Sequence, residues 1–182
     1  YDRFVYGVEH ICFASLPGMW ERTVLLGGFS KSYAMTGWRI GYACGPREII
    51  QAMHKVHQYI IMSAPTVAQT GVLGALGCGN DCAEDIVREF ALRRDIIVHG
   101  LRDIGLPCVE PRGAIYAFPS VRETSLSSTA FAERLLLEEK VAVVPGNAFG
   151  ASGEGYVRIA YTVPAPQLEE ALERIQHFVR QL

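Results

Sequence analysis

Short apolar runs separated by turn residues fill positions 1–65, which is the pattern of strands in a layered α/β domain. Because Gly27 and Gly28 follow one of these runs, we expect them to end that strand. Apolar residues then recur at helical spacing, which predicts a helix over residues 47–57. The predicted strands are residues 4–6, 23–26 and 39–44.

Residues 66–104 have no strand pattern and predict two connecting helices. Thr66 follows a proline and is a suitable helix N-cap, and the second helix begins near Asp81. The apolar residues of this second helix share one side, and Gly105 and Pro107 follow its end. We therefore expect three regions along the chain, which are residues 1–65, 66–104 and 105–182.

Residues 105–182 mix strand and helix patterns, which is typical of a small α/β domain. A hairpin turn is predicted at residues 111–113, and Ser127 or Ser128 is a suitable cap for a helix that ends near Lys140. The other predicted elements are hairpin strands at 108–110 and 114–118, strands at 141–144 and 156–161, and a final helix from about Pro166 that buries Leu168, Leu172, Ile175 and Val179.

Composition and charge exclude several classes of function. The 182-residue chain has 17 basic and 19 acidic residues, and its net charge of −2 does not fit a nucleic-acid-binding surface. No apolar stretch reaches the roughly 20 residues that a membrane span needs. Five cysteines, an odd number, favour a reduced chain in the cytoplasm over a secreted disulfide framework. We expect small-molecule substrates, with no nucleic acid and no membrane as partner.

Two pairs of residues have the side chains of metal ligands but not the spacing of a metal site. His54 and His57 lie three residues apart, without an acidic residue at ligand spacing, and are read as surface histidines. Cys78 and Cys82 have no second ligand pair at the spacing of a zinc site. We therefore expect no metal site.

The candidate chemistry begins with Lys31, one of only three lysines in the chain. Lys55 and Lys140 lie on predicted helix surfaces, whereas Lys31 lies among small, hydroxylic and apolar residues between two predicted strands. An ordinary loop lysine on the surface is one interpretation. The other is a poorly hydrated, neutral amine that can form an imine with a carbonyl compound.

Arg39 and Ser30 favour the second interpretation. Arg39 follows Lys31 by eight residues, and Ser30 directly precedes the lysine. A guanidinium and a hydroxyl together bind a phosphate well. The segment therefore offers an imine-forming amine beside a phosphate site, and pyridoxal 5′-phosphate carries both matching groups.

Residues 30–42, which read SKSYAMTGWRIGY, closely resemble the lysine signature of class I/II aminotransferases, the fold-type-I pyridoxal-phosphate enzymes. Tyr1 and Asp2 look like the end of a further motif of this family. The nearest branch by resemblance is the bacterial aspartate-aminotransferase-like enzymes. Similar motifs are found along most of the chain, at residues 58–66, 111–119, 143–150 and 156–161.

The resemblance implies a role for each matching residue. Lys31 would hold pyridoxal 5′-phosphate and later move a proton on the substrate. Arg39 and Ser30 would bind the phosphate, and Tyr1 would donate a hydrogen bond to the cofactor's phenolic oxygen. Arg158 would bind the α-carboxylate of the substrate. Many relatives carry one more hydroxyl at the position of Gly28, so the phosphate would have one donor fewer here or would find it elsewhere.

The resemblance also implies the architecture and the activity. The chain would be the C-terminal part of a large domain with a mostly parallel sheet, followed by a complete α/β small domain. We expect a C-terminal fragment, inactive alone, of a homodimeric aminotransferase that moves an amino group between an L-amino acid and a 2-oxo acid. The alternatives are a pyridoxal-phosphate-dependent β-lyase or cyclising lyase on the same scaffold, or a non-catalytic fragment.

Overall fold

The computed structural model describes residues 2–77 and 81–182, and the side chains of all of these except residues 81–83. Tyr1 and Cys78 lie outside the described residues, as does the side chain of Cys82. The chain forms two units, Tyr1–Ile86 and Val87–Leu182, which are described separately. The boundary between them falls inside the region that we predict to connect two domains.

The first unit is built around an antiparallel strand pair, β1 (Leu25–Gly28) and β2 (Gly41–Cys44). A single helical turn, α1 (Phe29–Ser32), follows β1 directly. No parallel strand pair is present in the part of the chain that the structure describes, and the predicted parallel sheet stays a prediction for the larger domain. The longer helices of this region are α2 (Arg47–Ile60), α3 (Thr66–Gly77) and α4 (Asp81–Asp103), and α4 continues into the second unit.

The strand does end at Gly28, but Gly27 and Gly28 are themselves part of it, because both residues pair with β2. Gly27 lies opposite Tyr42, whose ring covers it, and a Cβ added at Gly27 would lie 2.3 Å from Tyr42 Cζ. Glycine is therefore needed here for a close approach to a ring and does not mark a turn.

The predicted strand at residues 4–6 does not form. The backbone N–H of Val5 donates to the carbonyl oxygen of Arg3 at 2.9 Å, so a local turn uses the donor that a strand needs. The next predicted strand begins two residues late. Its first residue, Thr23, is bound to the preceding turn by a hydrogen bond from its Oγ1 to the carbonyl of Met19.

The second unit contains a three-stranded antiparallel sheet with β5 (Val157–Ala160) at its centre. Its neighbours are β3 (Tyr116–Ala117) and β4 (Val144–Pro145). The helices α5 (Ser128–Glu139) and α6 (Ala165–Arg180) pack together through Phe131 and Phe178, whose ring centroids lie 5.3 Å apart. The fully buried core residues of this unit include Leu101, Leu106, Leu135, Val157, Tyr161 and Ile175.

The predicted hairpin around residues 111–113 is wrong, because only β3 of its two strands is present. The carbonyl of Cys108 accepts from Arg102 Nε at 3.0 Å, and Pro111 accepts from Arg94 at 3.5 Å. Arginines of α4 therefore take hydrogen-bonding groups that the first hairpin strand would have used.

The helix predicted to begin at Ser127 or Ser128 is confirmed. Ser127 is the N-cap, and its side chain accepts from the backbone N–H of Ala130. The last helix is also confirmed, with Leu168 and Ile175 buried as predicted. Leu172 and Val179 are only half-buried, and the sequence pattern missed the fully buried Phe178. Among the described residues, no helix is long and apolar enough to cross a membrane.

Candidate active site

The lysine singled out by the sequence lies on the connection between β1 and β2. Gly28 pairs with Gly41, so the two ends of this connection lie side by side. Lys31 is in the single turn of α1, and its side chain is exposed, although its apolar neighbours had suggested poor hydration. Within residues 2–77 and 81–182 its amine forms no hydrogen bond or ion pair, so it is available to react.

Two hydrogen bonds connect Ser30 with Arg39 through Thr36. Thr36 Oγ1 donates to the carbonyl oxygen of Ser30 at 2.9 Å, and Arg39 Nη1 donates to the carbonyl oxygen of Thr36 at 3.0 Å. Arg39 itself has a φ of 53°, in the left-handed region that residues other than glycine rarely adopt. The loop therefore holds both predicted phosphate ligands through its own contacts.

A small apolar cluster anchors the same loop. Phe29, Met35 and Val72 are its buried members, and each such side chain stabilises the fold by about 1.5–3 kcal/mol. The ring of Phe29 also contacts Tyr33 and Tyr42, at centroid distances of 5.5 and 5.6 Å. Residues on both sides of Lys31 are thus fixed by packing, while the lysine is exposed.

The side chains of this loop fit a small molecule that carries an aldehyde and a phosphate. Lys31 would supply the amine for the aldehyde, and Arg39 with Ser30 would supply donors for the phosphate. Gly28 is extended, with φ −157° and ψ 155°, and offers no third side-chain donor. These residues therefore fit pyridoxal 5′-phosphate.

Arg158 lies on β5, in the second unit. Val157 and Ile159 on either side of it are buried, so strand alternation places Arg158 on the other face of the sheet, where it is half-buried. Its Cζ atom lies 4.5 Å from the ring centroid of Tyr116 and 4.6 Å from that of Phe149. Among the described residues, its guanidinium forms no hydrogen bond or ion pair, so it is suited to bind an anion.

The segment that carries Phe149 is held by a close approach of two glycines. A Cβ at Gly146 would lie 2.2 Å from the carbonyl oxygen of Gly153, and one at Gly153 would lie 2.1 Å from that of Gly146. Either side chain would force the two backbone segments apart. Gly146 and Gly153 thereby fix the turn that places Phe149 against Arg158.

Of the predicted site residues, Ser30, Lys31 and Arg39 lie in one loop, Arg158 lies in the other unit, and Tyr1 is outside the described residues. Their catalytic and binding roles stay predictions. Sequence reasoning missed three residues that contact them, which are Thr36, Tyr116 and Phe149. All three belong to the quoted motifs, but only the folded loop and sheet reveal their contacts.

Comparison with known proteins identifies the family. Residues 1–175 match the family model for aminotransferase class I and II. An aspartate aminotransferase from Pyrococcus abyssi is 44% identical over 184 aligned residues, which cover 100% of this chain and 47% of that protein. Aromatic-amino-acid aminotransferase 2 from Thermococcus litoralis is 42% identical, with the same shares of both chains covered.

A solved structure gives the same result for the fold. The crystal structure of an aromatic aminotransferase from Pyrococcus horikoshii matches with a TM-score of 0.96 and 43% identity, over 100% of this chain and 49% of that one. This chain therefore spans about half the length of the relatives that it matches. The predicted α/β fold of a pyridoxal-phosphate transferase is confirmed. The chain belongs to the class I and II aminotransferase family.

Proposed function

We propose that the full-length protein carrying this chain is a pyridoxal-phosphate-dependent aminotransferase, which moves an amino group between an L-amino acid and a 2-oxo acid. One observation carries the proposal. The amine of Lys31, which has no hydrogen bond or ion pair among the described residues, and the guanidinium of Arg39 belong to a single loop whose ends are joined by strand pairing. Membership of the aminotransferase family supports the same reaction.

The first step is binding of the cofactor by side chains of the loop. Arg39 and the hydroxyl of Ser30 would bind the phosphate, with charge-assisted hydrogen bonds that contribute about 1.5–3 kcal/mol each. Tyr1 would donate a hydrogen bond to the phenolic oxygen. When bound, pyridoxal phosphate supplies an aldehyde that takes up amines and a ring that accepts electrons from the substrate.

Two side chains would then act on the substrate. Arg158 would bind the α-carboxylate through a planar pair of N–H donors, which orients the substrate. Lys31 Nζ, once free, would take the proton from Cα of the amino acid and return a proton to the other end of the reacting system. This division explains why the chain needs a guanidinium for binding and an amine for proton transfer.

The assembly and location belong to the same proposal. We propose a homodimer in the cytoplasm, as is usual for this family. The described cysteines Cys12, Cys44 and Cys108 are free thiols, which suits a reducing compartment.

A coupled assay tests the reaction. The full-length protein with added cofactor is incubated with L-aspartate or L-phenylalanine, with and without 2-oxoglutarate. We expect L-glutamate to form only when the oxo acid is present, and Lys31→Ala to abolish it. Lys55→Ala is the matched control, because Lys55 is exposed on α2, and it should keep the activity.

Two results of this assay would contradict the proposal, and each has a different meaning. Ammonia and an oxo acid produced without 2-oxoglutarate would indicate the lyase alternative. Full activity of the Lys31→Ala variant would contradict the assigned role of the lysine.

A further inference from the structure

We infer that Tyr116 and Phe149 are positioning residues that hold the guanidinium of Arg158 ready for a substrate carboxylate. This inference rests on the proposed function, in which Arg158 binds that carboxylate. It adds two aromatic side chains that affect the substrate only by positioning Arg158.

The sheet register explains how Tyr116 reaches the arginine. Tyr116 of β3 pairs with Ala160 of β5, which lies two residues beyond Arg158 on the same face. Diagonal neighbours of this kind are within reach of long side chains. The ring of Tyr116 accordingly lies 4.5 Å from Arg158 Cζ.

Phe149 approaches the arginine from outside the sheet. It follows β4, and its ring centroid lies 4.6 Å from Arg158 Cζ. Phe118 supports this arrangement, because its ring contacts Phe149 at 6.3 Å and is stacked with Tyr156 at 5.5 Å. Phe149 is therefore one of a group of connected rings, although it is itself 52% exposed.

The absence of other contacts makes these two rings important. In the part of the chain that the structure describes, Arg158 has no acidic partner and donates no hydrogen bond. A long arginine side chain without such partners would populate many rotamers, and ordering it on substrate binding would cost entropy. Aromatic faces attract the cation without occupying its N–H donors. They restrict the arginine and leave those donors for a carboxylate.

Steady-state kinetics of the full-length protein with its cofactor tests the inference. The variants are Phe149→Leu and Tyr116→Leu, which remove a ring, and Phe149→Tyr and Tyr116→Phe, which keep one. We expect each leucine variant to raise KM for the amino acid by about five- to tenfold, with kcat changed by less than about twofold. The conservative variants should restore a KM close to that of the unmodified protein.

A matched control separates this role from a general effect on folding. Phe90→Leu removes another ring that an arginine covers, because Arg93 Cζ lies 5.0 Å from the Phe90 centroid. Its KM should not change. A purely structural role of Phe149 would lower kcat through loss of active protein and leave KM unchanged, and that result would overturn the inference.

A measurement without catalysis completes the test. In the ¹⁵N-arginine NMR spectrum of the chain, the Arg158 Nε–H signal should be shifted by the nearby ring faces. Phe149→Leu should move it towards the position of a solvated arginine. An unshifted signal in the unmodified chain would overturn the inference. A shifted signal, together with no aminotransferase activity in the unmodified protein or any variant, would overturn only the proposed function.

Discussion

Thr36 connects the two ends of the candidate cofactor loop, through its hydroxyl at one end and its backbone carbonyl at the other. It donates to Ser30, while the carbonyl oxygen of the same residue accepts from Arg39. Thr36→Val keeps the shape of the side chain and removes the donor, so we expect a loss of about 1 kcal/mol in the free energy of unfolding of the first unit. Both tryptophans of the chain, Trp20 and Trp38, lie in this unit, so their fluorescence during urea unfolding measures the loss.

The same substitution should weaken the cofactor site. We expect the Kd of the full-length protein for pyridoxal phosphate to rise by about fivefold in Thr36→Val, because a less ordered loop binds the phosphate at an entropic cost. Thr36→Ser retains the hydroxyl and serves as the control. Equal affinities of the valine variant and the unmodified protein would show that Thr36 does not order the site.

At the residue scale, the sequence selects candidate side chains for the chemistry, but it does not predict their surroundings. Lys31, Ser30 and Arg39 could be selected because an amine near phosphate ligands is a rare combination in a chain with three lysines. The exposure of Lys31 and the left-handed conformation of Arg39 could not be predicted, because they depend on how the loop closes on Thr36.

The beginning of α5 depends on a buried hydroxyl. Ser128 is fully buried, and its Oγ accepts from the backbone N–H groups of Gly155 at 2.8 Å and Tyr156 at 3.1 Å. Ser128→Ala would remove the partner of the Gly155 N–H and leave the Tyr156 N–H with only its bond to the carbonyl oxygen of Gly153 at 3.2 Å. We therefore expect it to lower the free energy of unfolding by about 2 kcal/mol. Urea unfolding followed by far-UV circular dichroism measures this change.

Ser127→Ala is the matched control, because it removes an exposed N-cap hydroxyl from the same helix. We expect its cost to be about 1 kcal/mol. If Ser128→Ala were no more costly than Ser127→Ala, the two hydrogen bonds to residues 155 and 156 would not stabilise this unit.

Glu154 makes the stability of the same region depend on pH. The backbone N–H of Ser128 donates to its carboxylate at 2.8 Å, and Asn147 donates to it at 2.9 Å. These hydrogen bonds, with the one from Ser128 foremost, lower the pKa of Glu154 below its usual value of 4.5. The carboxylate therefore stabilises the fold above pH 4.5, and this contribution is lost as the pH falls below that value.

Glu154→Gln tests this pH dependence. At neutral pH we expect the glutamine variant to be less stable than the unmodified chain, and the difference should shrink as the solution is acidified through the window below pH 4.5. The measurement is the urea midpoint of both proteins across that range. A difference that stays constant with pH would exclude a role for the charge.

At the element scale, the helices and the strands β2 and β5 were predictable, whereas the predicted strands at residues 4–6 and 108–110 do not form. The start of α5 follows from a local capping signal at Ser127. The failed hairpin strand at residues 108–110 depends on arginines of α4, distant in sequence, which take up the carbonyl groups of Cys108 and Pro111. Local patterns contain no information about such competitors.

For the whole molecule, the chain spans about half the length of the relatives that it matches. We therefore expect the 182-residue chain alone to bind pyridoxal phosphate weakly and to show no turnover. Absorbance titration of the chain with the cofactor measures this. Tight binding with one cofactor per chain would contradict the expectation.

The predicted lysine and the predicted carboxylate ligand lie in different units of the chain. Motif spacing predicted that Lys31 and Arg39 lie close together along the chain, and the structure has both on the connection between the paired strands β1 and β2. Arg158 was placed correctly on a strand of the second unit, but the aromatic rings around it follow from sheet register and from the turn fixed by Gly146. Register and close backbone contacts are properties of the folded chain that a sequence pattern does not contain.

The most direct test of the central claim is to locate the cofactor on the protein. The full-length protein is incubated with pyridoxal phosphate, reduced with sodium borohydride to fix the bond between lysine and cofactor, digested, and analysed by mass spectrometry. We predict the added mass on the peptide that contains Lys31. Modification of Lys55 or Lys140 instead, or of no lysine in this chain, would contradict the claim.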